Sequence, residues 1–182
     1  MSIGKSDQKE ISIRFCGSGG MGVILASIIL GRAAIADGKN SIQTQTYGAE
    51  QRGTKVKSDI LISEYNEPSF PLFDTVDILV AFSRDAFNYF YPKTRKNTFI
   101  IINTDLVELN QENENLFKIP ASSMAEELNN PKIMNIIMLG SLIKITKIVS
   151  KESLIKAIKT SVPKKYENIN IEGFNKGYNI QF

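Results

Sequence analysis

With 182 residues, no histidine and a single cysteine, the chain cannot build a His-based triad, a His-ligated metal site, a disulfide or an all-cysteine iron–sulfur cage from its own side chains. Its hydrophobic (42%) and charged (23%) fractions are those of a globular domain, and the length fits one domain burying roughly 70% of its unfolded surface. A net charge of +3 is too small to point to nucleic acid, and Arg32, Lys144 and Lys147 interrupt the two longest apolar segments, so neither reads as a membrane span.

Residues 1–10 form a polar tail without the apolar core of a secretory signal, so a cytoplasmic location is expected. In the apolar run that follows, Ile11, Ile13 and Phe15 share one face of a strand. Gly17, Gly19, Gly20 and Gly22 come next, and then a breaker-free apolar segment, Val23–Ala36, that predicts a helix. Strand, glycine turn and helix are the context in which the spacing G-x-G-x-x-G acquires meaning. Its glycines serve a sharp turn, close approach of backbone to a ligand, and tight helix–strand contact, with positive φ expected at Gly19. The free N–H groups at Val23, backed by the helix dipole, suit a phosphate-bearing ligand. A packing turn without a ligand is the alternative reading. Cys16, directly after the strand, is read as a small buried hydrophobe.

The helix is apolar nearly all round, which predicts burial on several sides and part of that burial by a partner subunit. Gly38 ends it. The next strand, Ile42–Thr46, carries no acid at its end, where a dinucleotide site needs one about 20 residues past the glycines. That argues against NAD. Tyr47–Thr54 reads as a loop between strands, the usual place for functional residues. Over Lys55–Ser63 a half-buried strand is expected, with Val56, Ser58, Ile60 and Ile62 on one face.

Residues 64–75 contain Pro68 and Pro71 and read as loop. Asp77–Phe82 is a continuous apolar run of the kind found in a central parallel strand. Ser83 then offers an N-cap, with Asp85 in the first turn, to a helix reaching Phe90. Phe99–Ile102 is the next central strand, and Phe117–Pro120 a short one before a helix with Ser123 and Glu126 at capping-box spacing. After the break at Asn129-Asn130-Pro131, a helix is predicted over Ile133–Val149. Two short surface helices follow, Lys151–Thr160 and one from Lys164 onward. The late lysines follow their polar faces, without the interleaved aromatics of a nucleic-acid groove. The fold class expected is α/β: one Rossmann-like domain over 1–182, its mainly parallel sheet wound outward from the first strand and flanked by helices on both faces.

Three motifs together resemble one family. They are Gly17-Ser18-Gly19-Gly20-Met21-Gly22, the segment Gln43-Thr44-Gln45-Thr46-Tyr47-Gly48-Ala49-Glu50-Gln51-Arg52-Gly53, and Asp77-Ile78-Leu79-Val80-Ala81-Phe82-Ser83. Asn135-Ile136-Ile137-Met138-Leu139-Gly140 adds a fourth. The combination is similar to the gamma subunit, or gamma domain, of 2-oxoacid:ferredoxin oxidoreductases, over about Ile11 to Ile158. Gln45 and Tyr47, in the form Y-G-x-E-x-R-G, look like the 2-oxoglutarate type, with pyruvate, branched-chain and indolepyruvate versions left open. Met21 departs from the Gln common in the family, and Thr54 from a frequent second Gly.

The resemblance implies a multi-subunit enzyme that oxidatively decarboxylates a 2-oxoacid, joins the acyl group to coenzyme A and reduces ferredoxin. It implies partner alpha and beta subunits, with a delta subunit as an open case, and puts thiamine diphosphate, Mg and iron–sulfur clusters in those partners. No catalytic residue and no metal ligand is assigned to this chain. Coenzyme A binding is, and the residues it implies are Gly17, Ser18, Gly19, Gly20, Met21, Gly22, Gln45, Tyr47, Arg52, Gly53 and Asn135. Neither membrane nor nucleic acid is an expected partner. The competing readings are a stand-alone NAD(P) oxidoreductase and an interaction module without ligand.

Overall fold

A computed structural model describes residues 10–46, 55–64, 73–109 and 114–182. Its six strands are β1 (Glu10–Ser18), β2 (Asn40–Thr46), β3 (Lys55–Ser63), β4 (Ile78–Ala81), β5 (Phe99–Asn103) and β6 (Leu116–Ile119). They form one sheet in the order β2-β3-β1-β4-β5-β6. The strands β1, β4, β5 and β6 run parallel, whereas β3 pairs antiparallel with both β1 and β2. β2 therefore runs the same way as β1, one strand removed from it, and β3 alone is reversed. The mainly parallel sheet wound from its first strand is as the sequence predicts; Glu10, assigned to the tail, already belongs to β1.

The strands β4 and β5 earn their central places by composition. All of β4, and β5 from Ile100 to Asn103, is buried, as continuous apolar runs covered on both faces must be. Alternation divides the core in two. Ile13, Phe15, Ile60, Ile62, Val80 and Ile101 face one layer, and Cys16, Leu79, Ala81, Ile100 and Ile102 the other.

Helices are shared unequally between these faces. The second face carries α2 (Arg84–Phe90), through Ala86, Phe87 and Phe90. The first carries α1 (Val23–Ala36), α3 (Ala121–Glu127) and α4 (Met134–Thr146). Over these lie α5 (Lys151–Ser161), packed against α1, and α6 (Glu167–Tyr178), packed against α4. This second layer explains why α1 and α4 are apolar all round. Met134 to Ile143 is buried without a gap, and a Cβ on Gly140 would stand 2.9 Å from Tyr178 N. The chain's own helices thus enclose α4, whereas on α1 Ile24, Leu25 and Ile28 stay half-buried and Ile35 is exposed, which leaves room for cover by a partner subunit.

Two local expectations are corrected. α4 ends at Thr146 rather than Val149, because Lys147 takes φ 52° and its N–H returns to Ile143 O. Ser123 and Glu126 make no capping box, since Ser123 lies inside α3. The cap comes from the end of β5. Asn103 Oδ1 accepts from Ala121 N (3.1 Å), and Asp105 accepts from both Ser123 N and Ser123 Oγ at 2.8 Å.

Candidate functional site

The carboxyl end of β1 lies where the strand order turns back on itself, with β3 and β2 to one side and β4 to β6 to the other. Open α/β sheets bind ligands in the crevice outside such a switch point. β1 runs through Gly17 to Ser18, and the chain then reverses through a turn in which Met21 N donates to Ser18 O at 3.2 Å. Gly19 and Gly20 are exposed, and Met21 and Ser18 half-buried. Gly22 is the N-cap of α1.

The glycines divide their work differently from the spacing argument. Positive φ falls on Gly20 (90°) and Gly22 (73°), not on Gly19. Gly17 is a packing position: a Cβ there would lie 2.9 Å from Val23 Cγ2 and 3.0 Å from Phe82 Cβ. Gly20 faces open space, with nothing within 4 Å of such a Cβ. Gly22 is closed by Asn135, whose side-chain amide a Cβ would meet.

That amide is the main support of the turn. Asn135 is 2% exposed, and its Nδ2 donates to Gly22 O at 3.2 Å, the same oxygen that accepts from Ala26 N at 3.0 Å. Asn135, which the sequence reading places among the ligand residues, here holds the turn from beneath. Met21 Sδ, 3.4 Å from Ser18 N, backs it from the other side.

What the turn leaves available is a helix start without a counter-charge. α1 has no side-chain N-cap bond and no acidic residue in its first turn. Its leading N–H groups carry the positive end of a 14-residue helix toward Gly19 and Gly20. The arrangement can hold an anion. It offers no acid, base or nucleophile: burial pushes the Cys16 thiol far above its ordinary value despite the nearby Arg14 cation, so it stays protonated. Among the described residues no group of three Cys, Asp or Glu side chains is placed to hold a metal ion. No described helix is long and apolar enough to cross a membrane.

Of the second motif, Gln45 is exposed on β2, while Tyr47, Arg52 and Gly53 lie outside the described residues. Gln43 is structural, its Nε2 donating to Ser27 Oγ (2.6 Å) and Ser58 Oγ (2.7 Å) between α1 and β3. Lys55 pairs with Ser18, and Thr46 with Lys57, so the end of β2 and the start of β3 lie at the glycine-turn edge of the sheet.

One feature missed in the sequence lies beneath. Arg14 makes a two-point bond to Asp59, Nε to Oδ1 and Nη2 to Oδ2, each 2.7 Å, with both side chains almost wholly buried. Lys57 adds a third charge at 3.0 Å, and the Arg14 guanidinium lies 5.0 Å from the Phe90 ring centroid. The signal was present: Arg14 and Asp59 each fall on the face opposite the isoleucines of their strand, with opposite charge.

Comparison with known proteins gives a consistent picture. The sequence profile of the family described as pyruvate ferredoxin/flavodoxin oxidoreductase matches residues 12–180. The 2-oxoglutarate synthase subunit KorC of Methanocaldococcus jannaschii is 44% identical over 174 residues, covering 92% of either chain. A keto/oxoacid ferredoxin oxidoreductase gamma subunit from Geobacter sulfurreducens superposes with a TM-score of 0.80 at 31% identity, over 92% of this chain and 96% of that one. The 2-oxoglutarate:ferredoxin oxidoreductase from Magnetococcus marinus, solved with 2-oxoglutarate, coenzyme A and succinyl-CoA bound, superposes with a TM-score of 0.81 at 25% identity. It covers 94% of this chain, which spans 31% of that longer one.

Proposed function

The chain belongs to the pyruvate ferredoxin/flavodoxin oxidoreductase family, as a gamma-type subunit of the 2-oxoglutarate synthase kind, and we propose that its glycine turn binds coenzyme A for the assembled enzyme. The carrying observation is the uncapped start of α1, with no acid in its first turn and with Gly20 opening onto free space. Coenzyme A carries a diphosphate and a ribose phosphate, and backbone N–H groups at a helix start meet such a group without a charged side chain. A second phosphate falls to Arg52, whose guanidinium fork matches phosphate oxygens two at a time. The neighbour with coenzyme A bound supports this reading.

Within the enzyme a 2-oxoacid loses carbon dioxide, its acyl group passes to the coenzyme A thiol, and two electrons go to ferredoxin. An iron–sulfur cluster does not fit this chain, which has no histidine and one cysteine, buried and protonated, and among the described residues no acidic cluster is placed to hold the Mg that accompanies thiamine diphosphate. We assign those groups, and ferredoxin contact, to alpha and beta partners, with a delta subunit left open, and the assembly to the cytoplasm. The part left to this chain is binding and orientation of the acyl acceptor.

A dinucleotide reading loses to the sheet order. A NAD(P) site takes its ribose contact from the end of the strand next to β1, but here β3 intervenes. The end of β2 is displaced by about one strand spacing, ~4.8 Å, and carries Gln45 and Thr46 rather than an acid.

The deciding experiment is Gly20→Val in the assembled complex. Blocking the open side of the turn, at a φ of 90° that also strains any side chain there, should raise the KM for coenzyme A at least tenfold and leave the KM for the 2-oxoacid and subunit assembly unchanged. An unchanged coenzyme A KM would remove the ligand from this turn and favour a purely structural role.

A further inference from the structure

Ser83 comes two residues after the end of β4, past Phe82, and stands at the N-cap of α2 with φ −137° and ψ 154°, the extended conformation usual for a capping serine. It does not cap. Its backbone oxygen accepts from Phe87 N at 3.0 Å, but its side chain makes no cap bond. Among the described residues Ser83 Oγ is the one buried side-chain polar atom without a hydrogen-bond partner, in a residue 6% exposed. Buried hydroxyls elsewhere in the chain are satisfied: Ser27 and Ser58 bond each other, and Ser141 bonds Ile137 O and Gly177 O. An orphaned hydroxyl in such a molecule calls for a partner that the chain does not supply.

Its location names that partner. β1 and β4 are parallel, with Cys16 opposite Ala81 and Phe82 N bonded to Cys16 O at 2.8 Å. Continued two residues beyond the last pair, this register sets Ser18, at the end of β1, level with Ser83, just past the end of β4, at the switch-point edge of the sheet. On the other side of Ser18, Lys55 is its antiparallel partner. The Lys55 ammonium lies 4.9 Å and the Lys93 ammonium 4.0 Å from the Tyr89 ring centroid, so this flank of the crevice is cationic. Arg84, next in the chain, is turned to Glu108 at 3.5 Å.

We propose that the Ser83 hydroxyl is a ligand-binding group, donating to an oxyanion of the phosphate-bearing ligand held at the glycine turn. It is reached through a change of χ1 between staggered wells. This rests on the coenzyme A reading above and extends the site from the turn across the crevice to β4. A hydroxyl unpartnered in the free protein and bonded in the complex works only in the bound state. Ser83 is then kept for affinity at the expense of stability.

The test compares Ser83→Ala, Ser83→Thr and Gly20→Val in the assembled complex. Coenzyme A affinity is measured by calorimetry, and melting with and without coenzyme A. Ser83→Ala should weaken coenzyme A about tenfold, the usual size of a hydrogen bond to a charged group. It should leave the 2-oxoacid KM unchanged and the ligand-free melting temperature equal or higher, and Ser83→Thr should restore most of the affinity. Affinity within twofold of wild type for Ser83→Ala, while Gly20→Val weakens it, overturns the role of Ser83 alone. Unchanged affinity in both variants overturns the coenzyme A site as a whole. A lowered ligand-free melting temperature with unchanged affinity makes Ser83 structural and likewise overturns the proposal.

Discussion

Asn135 and Gly22 lock each other: the amide of Asn135 donates to Gly22 O at 3.2 Å, and any Cβ at Gly22 would occupy the space of that amide, 2.7 Å from its Cγ. One contact joins the start of α1 to the start of α4, across 113 residues of sequence. Gly22→Ala should lose about 2–5 kcal/mol, from a forced positive φ and from overpacking against Asn135. Asn135→Ala should cost about 1–2 kcal/mol for the lost bond. The double variant should fall short of the sum by about 1–3 kcal/mol, because removing the amide frees the space while the φ strain stays. Denaturant unfolding of the four proteins checks this, and strict additivity would separate the two residues.

The pair Arg14–Asp59 is buried on both sides, so removing Asp59 strands the Arg14 charge, and removing Arg14 leaves Asp59 only the half-buried Lys57. Asp59→Asn or Arg14→Met alone should cost about 3–5 kcal/mol. Joint replacement by apolar residues of similar volume should cost far less, since only Lys57, which reaches solvent, loses its partner. Thermal melting of single and double variants decides, and a double variant as damaged as the worse single one would refute it.

Asp37 ties the end of α1 to the start of α5 by accepting from Ser150 N (2.5 Å) and Ser150 Oγ (2.6 Å). Partial burial alone would raise its pKa, but these bonds, with Ser153 and the Lys39 charge, together hold the carboxyl below its ordinary value of 3.8. A depressed folded-state pKa gives stability that is full above the unfolded value and lost as pH falls through the folded one. Asp37→Asn should therefore lower stability at neutral pH and flatten its decline below about pH 4. Equal acid sensitivity in both proteins would rule this linkage out.

Arg52→Ala in the assembled enzyme should weaken coenzyme A by about 1.5–3 kcal/mol and leave assembly intact. Affinity titration and size-exclusion chromatography of the variant complex read the two effects separately. Impaired assembly with unchanged affinity would move Arg52 to a subunit boundary.

Isolated, the 182-residue chain should show no 2-oxoacid-dependent reduction of ferredoxin or a redox dye, since it lacks histidine and cluster cysteines. Activity should return on adding the partner subunits. Turnover by the pure chain would overturn the division of labour proposed above.

Much of this was legible in the chain, for physical reasons that differ by element. β4 and β5 announce themselves because strands covered on both faces must be apolar throughout, and β1–turn–α1 because four glycines in six residues admit few other conformations. The reversal of β3 was not legible: alternation in Lys55–Ser63 records which side chains are buried, not which way the neighbouring strand runs. All-round apolarity in α1 was read as burial on several sides, partly by a partner subunit. α5 accounts for part of that cover and α6 for that of α4, while Ile35 on α1 stays exposed; which helix a surface helix packs on is a tertiary fact its sequence does not state. Ser123 and Glu126 had capping-box spacing, yet the cap arrives from Asn103 and Asp105, a tertiary contact that local spacing cannot encode. Gly22 was legible as a glycine position, but Asn135 beneath it required the fold.

The two-layered cover of α4 has a bearing on how the molecule breathes. A helix enclosed by the sheet, α1, α3 and α6, its Gly140 and its neighbour's Gly177 allowing near backbone contact, can expose its amides only when the whole domain opens. Hydrogen exchange along α4 therefore reports the global unfolding free energy, whereas Gly19 and Gly20, at the surface on the other side of Asn135, exchange through local fluctuations. Slowly and rapidly exchanging amides thus meet across one side chain. A ligand that quiets the turn has a rigid floor to quiet it against, and protection gained at Gly20 without change in α4 would be its signature.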